Sequence, residues 1–178
     1  RENPTVNARI LVLVLASFIL VFPSMKRAAK SHLQIPENCH AVYNQHFQMA
    51  AFLGRYYSNE PVVADDIGAV NFFADLRCLD LWGLDNYDIV SAKLEGRFDS
   101  AFMDAAVSKG GCDIAVIHER YYDEFGGVPS GWILCGQWKT HKKTLIAGGN
   151  ILSFFAMSDA AAEKLRACLN DFSPRLPD

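Results

Sequence analysis

Four aspartates hold the chain's best prospect for chemistry: Asp65, Asp66, Asp80 and Asp85. Each falls at or just after a stretch that reads as a short strand. In open α/β sheets, ligands bind outside the carboxyl ends of the strands. Two or three carboxylates gathered there would suit Mg²⁺ or Ca²⁺, hard cations that take oxygen ligands. The same residues also have plainer uses, and these carry more weight. Asp66 can cap a helix, Asp65 can accept nearby amides, and Asp85 can open a turn.

Other catalytic patterns are missing from the sequence. A phosphatase of the haloacid-dehalogenase type needs Asp-x-Asp after its first strand, whereas here Asp65-Asp66 is followed by Ile67-Gly68. The histidines (His32, His40, His46, His118, His141) show no HExxH spacing, and the cysteines show no CxxC. A Cys/His metal site is therefore not expected. Neither G-x-S-x-G nor G-x-G-x-x-G occurs, so a serine nucleophile elbow and a dinucleotide loop are excluded. No cofactor and no metal are expected. His118 follows the third strand, where a reactive group or a hydrogen-bonded core histidine would both fit. Trp82, Tyr121 and Tyr122 also follow strands. Exposed rings there would stack on sugar C–H faces while polar neighbours bond the hydroxyls, although core packing is the default for aromatics. The candidate ligand crevice is thus Asp65, Asp66, Asp80, Trp82, Asp85, His118, Tyr121 and Tyr122.

Those residues need a scaffold. Asn38 reads as the cap of a helix running to Tyr57, with Tyr43, Phe47, Ala50, Gly54 and Tyr57 on one face. Residues 61–65 read as a buried strand, 67–74 as a short helix, and 77–81 as a second strand. Residues 99–109 read as a helix stopped by Gly110-Gly111. Residues 112–117 form a third strand, apolar on both faces after Asp113, as in the middle of a covered sheet. Residues 132–139 and 151–157 are two further strands, with turns at 140–143 and 148–150. Ser158 caps a last helix with Ala161, Leu165, Cys168, Leu169 and Phe172 on one face. The order predicts an α/β fold: a parallel β-α-β-α-β core with antiparallel strands added at one edge.

Composition bounds the rest. The 178 residues are 51% apolar and 21% charged, enough for a packed core of one domain. A net charge of −3 makes a nucleic-acid partner a poor expectation. Five cysteines are too few and too scattered for a disulfide scaffold, though a pair remains open if the domain lies outside the cytoplasm. The charge is uneven. Residues 1–30 carry Arg1, Arg9, Lys26, Arg27 and Lys30 against Glu2 alone, so the acidity lies entirely downstream. The basic part flanks Ile10–Phe22, thirteen residues with only Ser17 polar. As a helix this run spans about 20 Å, short of a hydrocarbon core of roughly 30 Å. It reads as the end of a transmembrane helix, ahead of a signal peptide or a buried core element. The sequence opens on Arg1, not Met, which suggests a piece of a longer protein. Residues 1–22 are assigned to the membrane helix, 23–37 to a polar linker, and 38–173 to a soluble α/β domain.

The run VVADDIGAVNFFADLRCLDLWGLDN, residues 62–86, resembles a pattern in the C-terminal soluble part of bacterial multi-pass membrane glycosyltransferases that use polyprenyl-phosphate-linked sugars. The matching residues are Asp66, Ile67, Gly68, Ala69, Phe72, Phe73, Asp80, Leu81, Gly83 and Leu84. The upstream apolar segment, the helix ending near Tyr57 and the later DIAVIHERYYDEF fit the same layout. The resemblance implies a domain on the extracytoplasmic (periplasmic) side of the cell membrane. It also implies an intact protein that moves sugar from a lipid carrier to an acceptor. That family's catalytic carboxylates lie in an early outer loop with no counterpart in this sequence, so no catalytic residue is carried over. The expected function is an accessory domain that aids acceptor binding or shapes the cavity. Its partners would be the bilayer, an acceptor glycan or lipid-linked sugar, and the remainder of the same membrane protein. The alternative is a single-span, membrane-anchored binding domain without enzymatic activity. A soluble metal-dependent hydrolase using Asp65, Asp66 and Asp80 is the weakest reading; it requires those carboxylates to converge.

Overall fold

A computed structural model describes residues 4–140, 149 and 151–177. The chain divides into two compact units, Arg1–Cys39 and His40–Asp178. Helix α1 runs Pro4–Val42 and contains Pro23 and Pro36. An apolar window in its first part has a mean hydropathy of 1.9, with none of it buried. The helix is thus long and apolar enough to cross a membrane, and its greasy side chains are not part of a protein core. Residues 23–37, expected as a polar connection, are helical throughout, and Asn38 lies inside α1 instead of capping a new helix. The turns between the two prolines are filled with Lys26, Arg27, Ala28, Ala29, Lys30, Leu33 and Gln34. These are strong helix formers, and they outweigh the breaking tendency of the flanking prolines.

A five-residue π-helical turn, Tyr43–Phe47, joins α1 to α2 (Gln48–Tyr56). The wide turn shifts the phase of the buried stripe. Tyr43, expected on the inner face, is 52% exposed, while Gln45 and His46 are buried in its place. Of the expected face, Ala50 and Tyr57 are buried and Phe47 and Gly54 partly so, while Met49, Phe52 and Leu53, not expected there, are fully buried.

The sheet follows: β1 (Pro61–Ala64), α3 (Gly68–Phe73), β2 (Arg77–Asp80), α4 (Tyr87–Leu94), α5 (Ser100–Gly110) and β3 (Ile114–Ile117). Two single 3₁₀ turns, Glu119–Tyr121 and Asp123–Phe125, lead to β4 (Ile133–Lys139), β5 (Ile151–Ala156) and α6 (Asp159–Phe172). The expected turns at 140–143 and 148–150 lie almost wholly outside the described residues; only Thr140 and Gly149 are described. Strand order is β2-β1-β3-β5-β4. β1 is parallel to both neighbours, and β5 is antiparallel to β3 and β4. This is the expected mixed α/β architecture, with the antiparallel strands at one edge.

Side chains alternate between two cores. Val62, Ile114, Val116 and Phe154 face α2, α3 and α6, while Val63, Ala115, Ile117 and Phe155 face α4 and α5. Phe52 centres the first core, its ring 5.2–6.0 Å from those of Tyr56, Tyr57, Trp138, Phe154 and Phe172. The caps are as the residue types require. Asp99 accepts the Phe102 amide at α5, and Ser158 accepts the Ala161 amide at α6. Helix α4, unforeseen from sequence, is capped by Asn86 through the Ile89 amide.

This topology fixes where a ligand would sit. β2 lies on one side of β1 and β3 on the other, with α3 and α4–α5 on opposite faces. The chain reverses its winding between β1 and β3. The crevice beyond their carboxyl ends is the topological switch point. Asp65 leaves β1 there, and His118 leaves β3.

Candidate functional site

Asp65 and His118 form the centre of the crevice. Their side chains are 0% and 1% exposed. The His118 backbone amide donates to Asp65 Oδ2 at 2.6 Å, and His118 Nδ1 lies 3.1 Å from Oδ1. On the other side of the ring, Gln45 Nε2 is 3.0 Å from His118 Nε2 and 3.1 Å from the Gly149 carbonyl oxygen. A carbonyl can only accept, so the Gln45 nitrogen must face Gly149. That nitrogen has two hydrogens, one for Gly149 and one for His118. His118 Nε2 is therefore an acceptor and Nδ1 carries the proton that Asp65 binds. The ring is a neutral tautomer held at both nitrogens, and its lone pair is already engaged.

Asp66, next in sequence, turns elsewhere. Its Oδ2 lies 2.6 Å from His46 Nε2, with the imidazole 7% and the carboxylate 35% exposed. The bond to His46 holds the Asp66 carboxyl below its usual range, with burial opposing it and the Gly68 amide assisting. Asp66 thus pairs with His46 while still taking the amide of Gly68, the first residue of α3. The residue at the N-terminal boundary of α3 is Ile67, which has no side-chain bond to make. Gly68 is needed for neither close packing nor a left-handed turn: the nearest atom to an added Cβ is Asp66 Oδ1, 3.9 Å away.

Asp80 is 4% exposed and closes a loop of its own. It accepts the backbone amides of Trp82 (2.9 Å), Gly83 (3.0 Å) and Asp85 (2.7 Å). Gly83 has φ of +94°, and an added Cβ would lie 3.2 Å from the Val90 nitrogen, so only glycine fits. Asp85 contributes its amide to this loop. Trp82 is 37% exposed and packs at 5.1 Å on Tyr121, which in turn lies 5.3 Å from the His118 ring. Lys93 Nζ sits 4.1 Å over the Trp82 ring, 4.7 Å from Phe98 and 5.3 Å from Phe125, and donates to the Trp82 carbonyl. Burial pushes the Lys93 ammonium below its ordinary value, against the pull of Asp80, Glu124 and Asp65. Tyr122 is fully buried in the second core, so it is no stacking platform, and burial raises its phenol far above the usual value.

Of the expected crevice residues, Asp65, His118, Tyr121 and Trp82 do converge. Asp66 pairs with His46, and Asp80 and Asp85 share a loop network of their own. Among the described residues, no group of three or more His, Cys, Asp or Glu is placed to hold a metal ion. The convergence that a metal-dependent hydrolase would need is not found. All five cysteines are unpaired. Sequence reasoning missed Gln45, His46 and Lys93. It also missed a small network in which Glu119 Oε1 accepts from Ser153 Oγ and, at 3.1 Å, from Gln137 Nε2. The signal for the first two was present: Gln45, His46 and Gln48 interrupt the apolar face of a helix at its entry to the core.

No curated protein and no solved structure matches the chain. A family model does, over residues 35–155, from the end of α1 through the sheet and the whole crevice. The chain belongs to that family, described as a domain of unknown function (DUF8728).

Proposed function

We propose that the chain is a membrane-tethered accessory domain of a glycosyltransferase that takes sugar from a lipid-linked donor. In this reading the unit His40–Asp178 lies on the extracytoplasmic side. It helps to bind the acceptor glycan and shapes the cavity of the same membrane protein, without catalytic groups of its own. One observation carries the non-catalytic part. Four groups at the sheet end are engaged within the chain: Asp65 by His118, His118 by Gln45, Asp66 by His46, and Asp80 by three amides. A general base needs a lone pair within reach of a substrate proton, and the buried Asp65, His118 and Asp80 turn theirs inward to the chain. The resemblance of residues 62–86 to such transferases supports the choice of enzyme class. The apolar window of α1 supports the tether.

The second reading is a single-span anchored domain that binds a partner. It is favoured by large apolar side chains on the surface of the domain, Phe72 at 81%, Tyr87 at 80% and Leu94 at 84% exposed. Two measurements separate the readings. The full chain in nanodiscs, given a polyprenyl-phosphate sugar and an acceptor, is expected to transfer nothing; transfer at enzymatic rate overturns the accessory role. The reading frame upstream of Arg1 is expected to encode several further hydrophobic spans. A single span overall selects the anchored binding domain.

A further inference from the structure

The uncharged part of α1 is short for a bilayer. Ile10 to Met25 holds no acidic or basic residue. Within a continuous helix that run rises about 24 Å, against a hydrocarbon core of roughly 30 Å. A span that falls short thins the bilayer around it or draws its flanking residues toward the core. The flanking residues here are Lys26, Arg27 and Lys30, all in the same helix and all exposed. At about 100° per residue they share an arc of about 100°, so one face holds all three. Cβ atoms in a helix lean toward its N-terminus, which aims these side chains back toward the apolar run. Their long stems carry the charge further in that direction. Lys30 lies about 6 Å along the axis from Lys26, within the roughly 5–7 Å depth of a headgroup layer. All three charges thus fall at the level of lipid phosphates. The helix supplies no counter-charge there: from Asn3 to Pro36 the sequence holds no acidic residue, and Glu37 comes seven positions after Lys30.

We propose that Lys26, Arg27 and Lys30 form a docking face for the headgroups of anionic phospholipids. Each ammonium meets a phosphate as a point charge, and the Arg27 guanidinium can take two phosphate oxygens at once. The partner is a lipid and not a soluble anion, because the three side chains are exposed on one helix and reach a phosphate only through the apolar run beside them. The inference rests on the reading of α1 as a membrane tether. It adds which lipids gather where the tether leaves the bilayer toward His40.

The test uses the full chain in phosphatidylcholine liposomes, with insertion checked by resistance to alkaline carbonate. Spin-labelled phosphatidylglycerol and phosphatidylcholine are then compared by electron paramagnetic resonance, which separates lipids held at the protein from free ones. The expected result is that phosphatidylglycerol associates roughly threefold more than phosphatidylcholine at low salt, the scale of one basic residue near a headgroup. The excess should vanish at about 1 M salt, where the screening length is about 3 Å. The triple variant Lys26→Gln, Arg27→Gln, Lys30→Gln should lose it and stay inserted. Lys26→Arg with Lys30→Arg keeps the charge and should keep the excess. If the triple variant fails to insert, Lys30→Gln alone, farthest from the apolar run, is read in its place and should lower the excess. An inserted chain without the preference, or variants lacking these charges that keep it in full, overturns the headgroup face and leaves the tether standing. Release of the native chain by carbonate overturns the tether and this inference with it. Salt-sensitive pairing of chains in place of a lipid preference would assign the face to acidic groups of a second copy, and that also overturns it.

Discussion

His118 gives two donors to one carboxylate: its backbone amide and its ring Nδ1 both bond Asp65, 53 positions upstream and with a side chain closed to solvent. This joins the ends of two adjacent parallel strands, β1 and β3, at the point where the sheet reverses its winding. Gln45 extends the connection to the π-helical turn and to Gly149. Four segments distant in sequence are thus tied at one imidazole.

Breaking that tie should be costly. Asp65→Ala leaves a buried amide and a buried ring N–H without acceptors, and each orphaned group costs about 1–3 kcal/mol. We expect a loss of roughly 3 kcal/mol in urea unfolding of the full chain in detergent, with far-UV circular dichroism unchanged before the transition. A loss below about 1 kcal/mol would mean that the pair is solvated and not a structural joint.

Asp80 offers a second case on the β2 side. Its carboxylate serves three amides of the loop that carries Trp82. Asp80→Ala should cost about 2–4 kcal/mol on the same scale. Trp82 should also move toward water, seen as a red shift of fluorescence. Asp80→Asn keeps one acceptor oxygen and should fall between the two. Both carboxylates act on Lys93 and lie at the ends of paired strands, so Asp65 and Asp80 variants should depart from additivity.

The Asp66–His46 contact predicts an acid effect. Asp66 has a folded-state value below its ordinary 3.8 because His46 bonds the ionised form. A carboxyl depressed in this way contributes stability that is fully present above the ordinary value. That stability is lost as pH falls through the lower folded value. The melting temperature of the native chain should therefore exceed that of His46→Asn at pH 5, and the gap should narrow as pH falls below the ordinary value of 3.8. A gap that does not narrow with acid would show that His46 acts by packing alone.

Much of this architecture was legible because it rests on local signals. Val62 to Ala64 and Ile114 to Ile117 read as strands buried on both faces, and they are the central parallel pair. Ser158 reads as a cap, and it caps; Asp99 reads as the first residue of its helix and proves to be the cap one position before it. The site was only half legible. Asp65 and His118 stood out because each ends a strand, and the topology brings strand ends together. Gln45 and His46 were signalled only as polar breaks in an apolar helix face, and the π-helical turn that carries them inward leaves no pattern of its own. The role of Asp66 depends on a histidine twenty positions upstream, whereas Asp80 is open to local reading as an acceptor for the amides of the Trp82-Gly83 turn, and it takes them. Residues 23–37 look like a polar connection because two prolines bound them, and they are helical because the helix formers between Pro23 and Pro36 prevail.

Lys93 supplies the last expectation. Its ammonium is caged by Trp82, Phe98 and Phe125 within 4.1–5.3 Å and tied to the Trp82 carbonyl. A partly desolvated cation over aromatic faces is worth about 0.5–2 kcal/mol. The stem also fills space beside the second core, where Phe98 is buried. Lys93→Met keeps most of that volume and removes both the charge over the rings and the bond to the Trp82 carbonyl, so its cost, roughly 1–3 kcal/mol, measures the two together. Lys93→Ala should cost more, since it also empties the cage. Lys93→Arg should not rescue fully, because a planar guanidinium cannot point one charge at three rings while also reaching the Trp82 carbonyl. Urea midpoints of the three variants check this order. If Lys93→Met proves as stable as the native chain, the rings hold lysine's stem and not its charge.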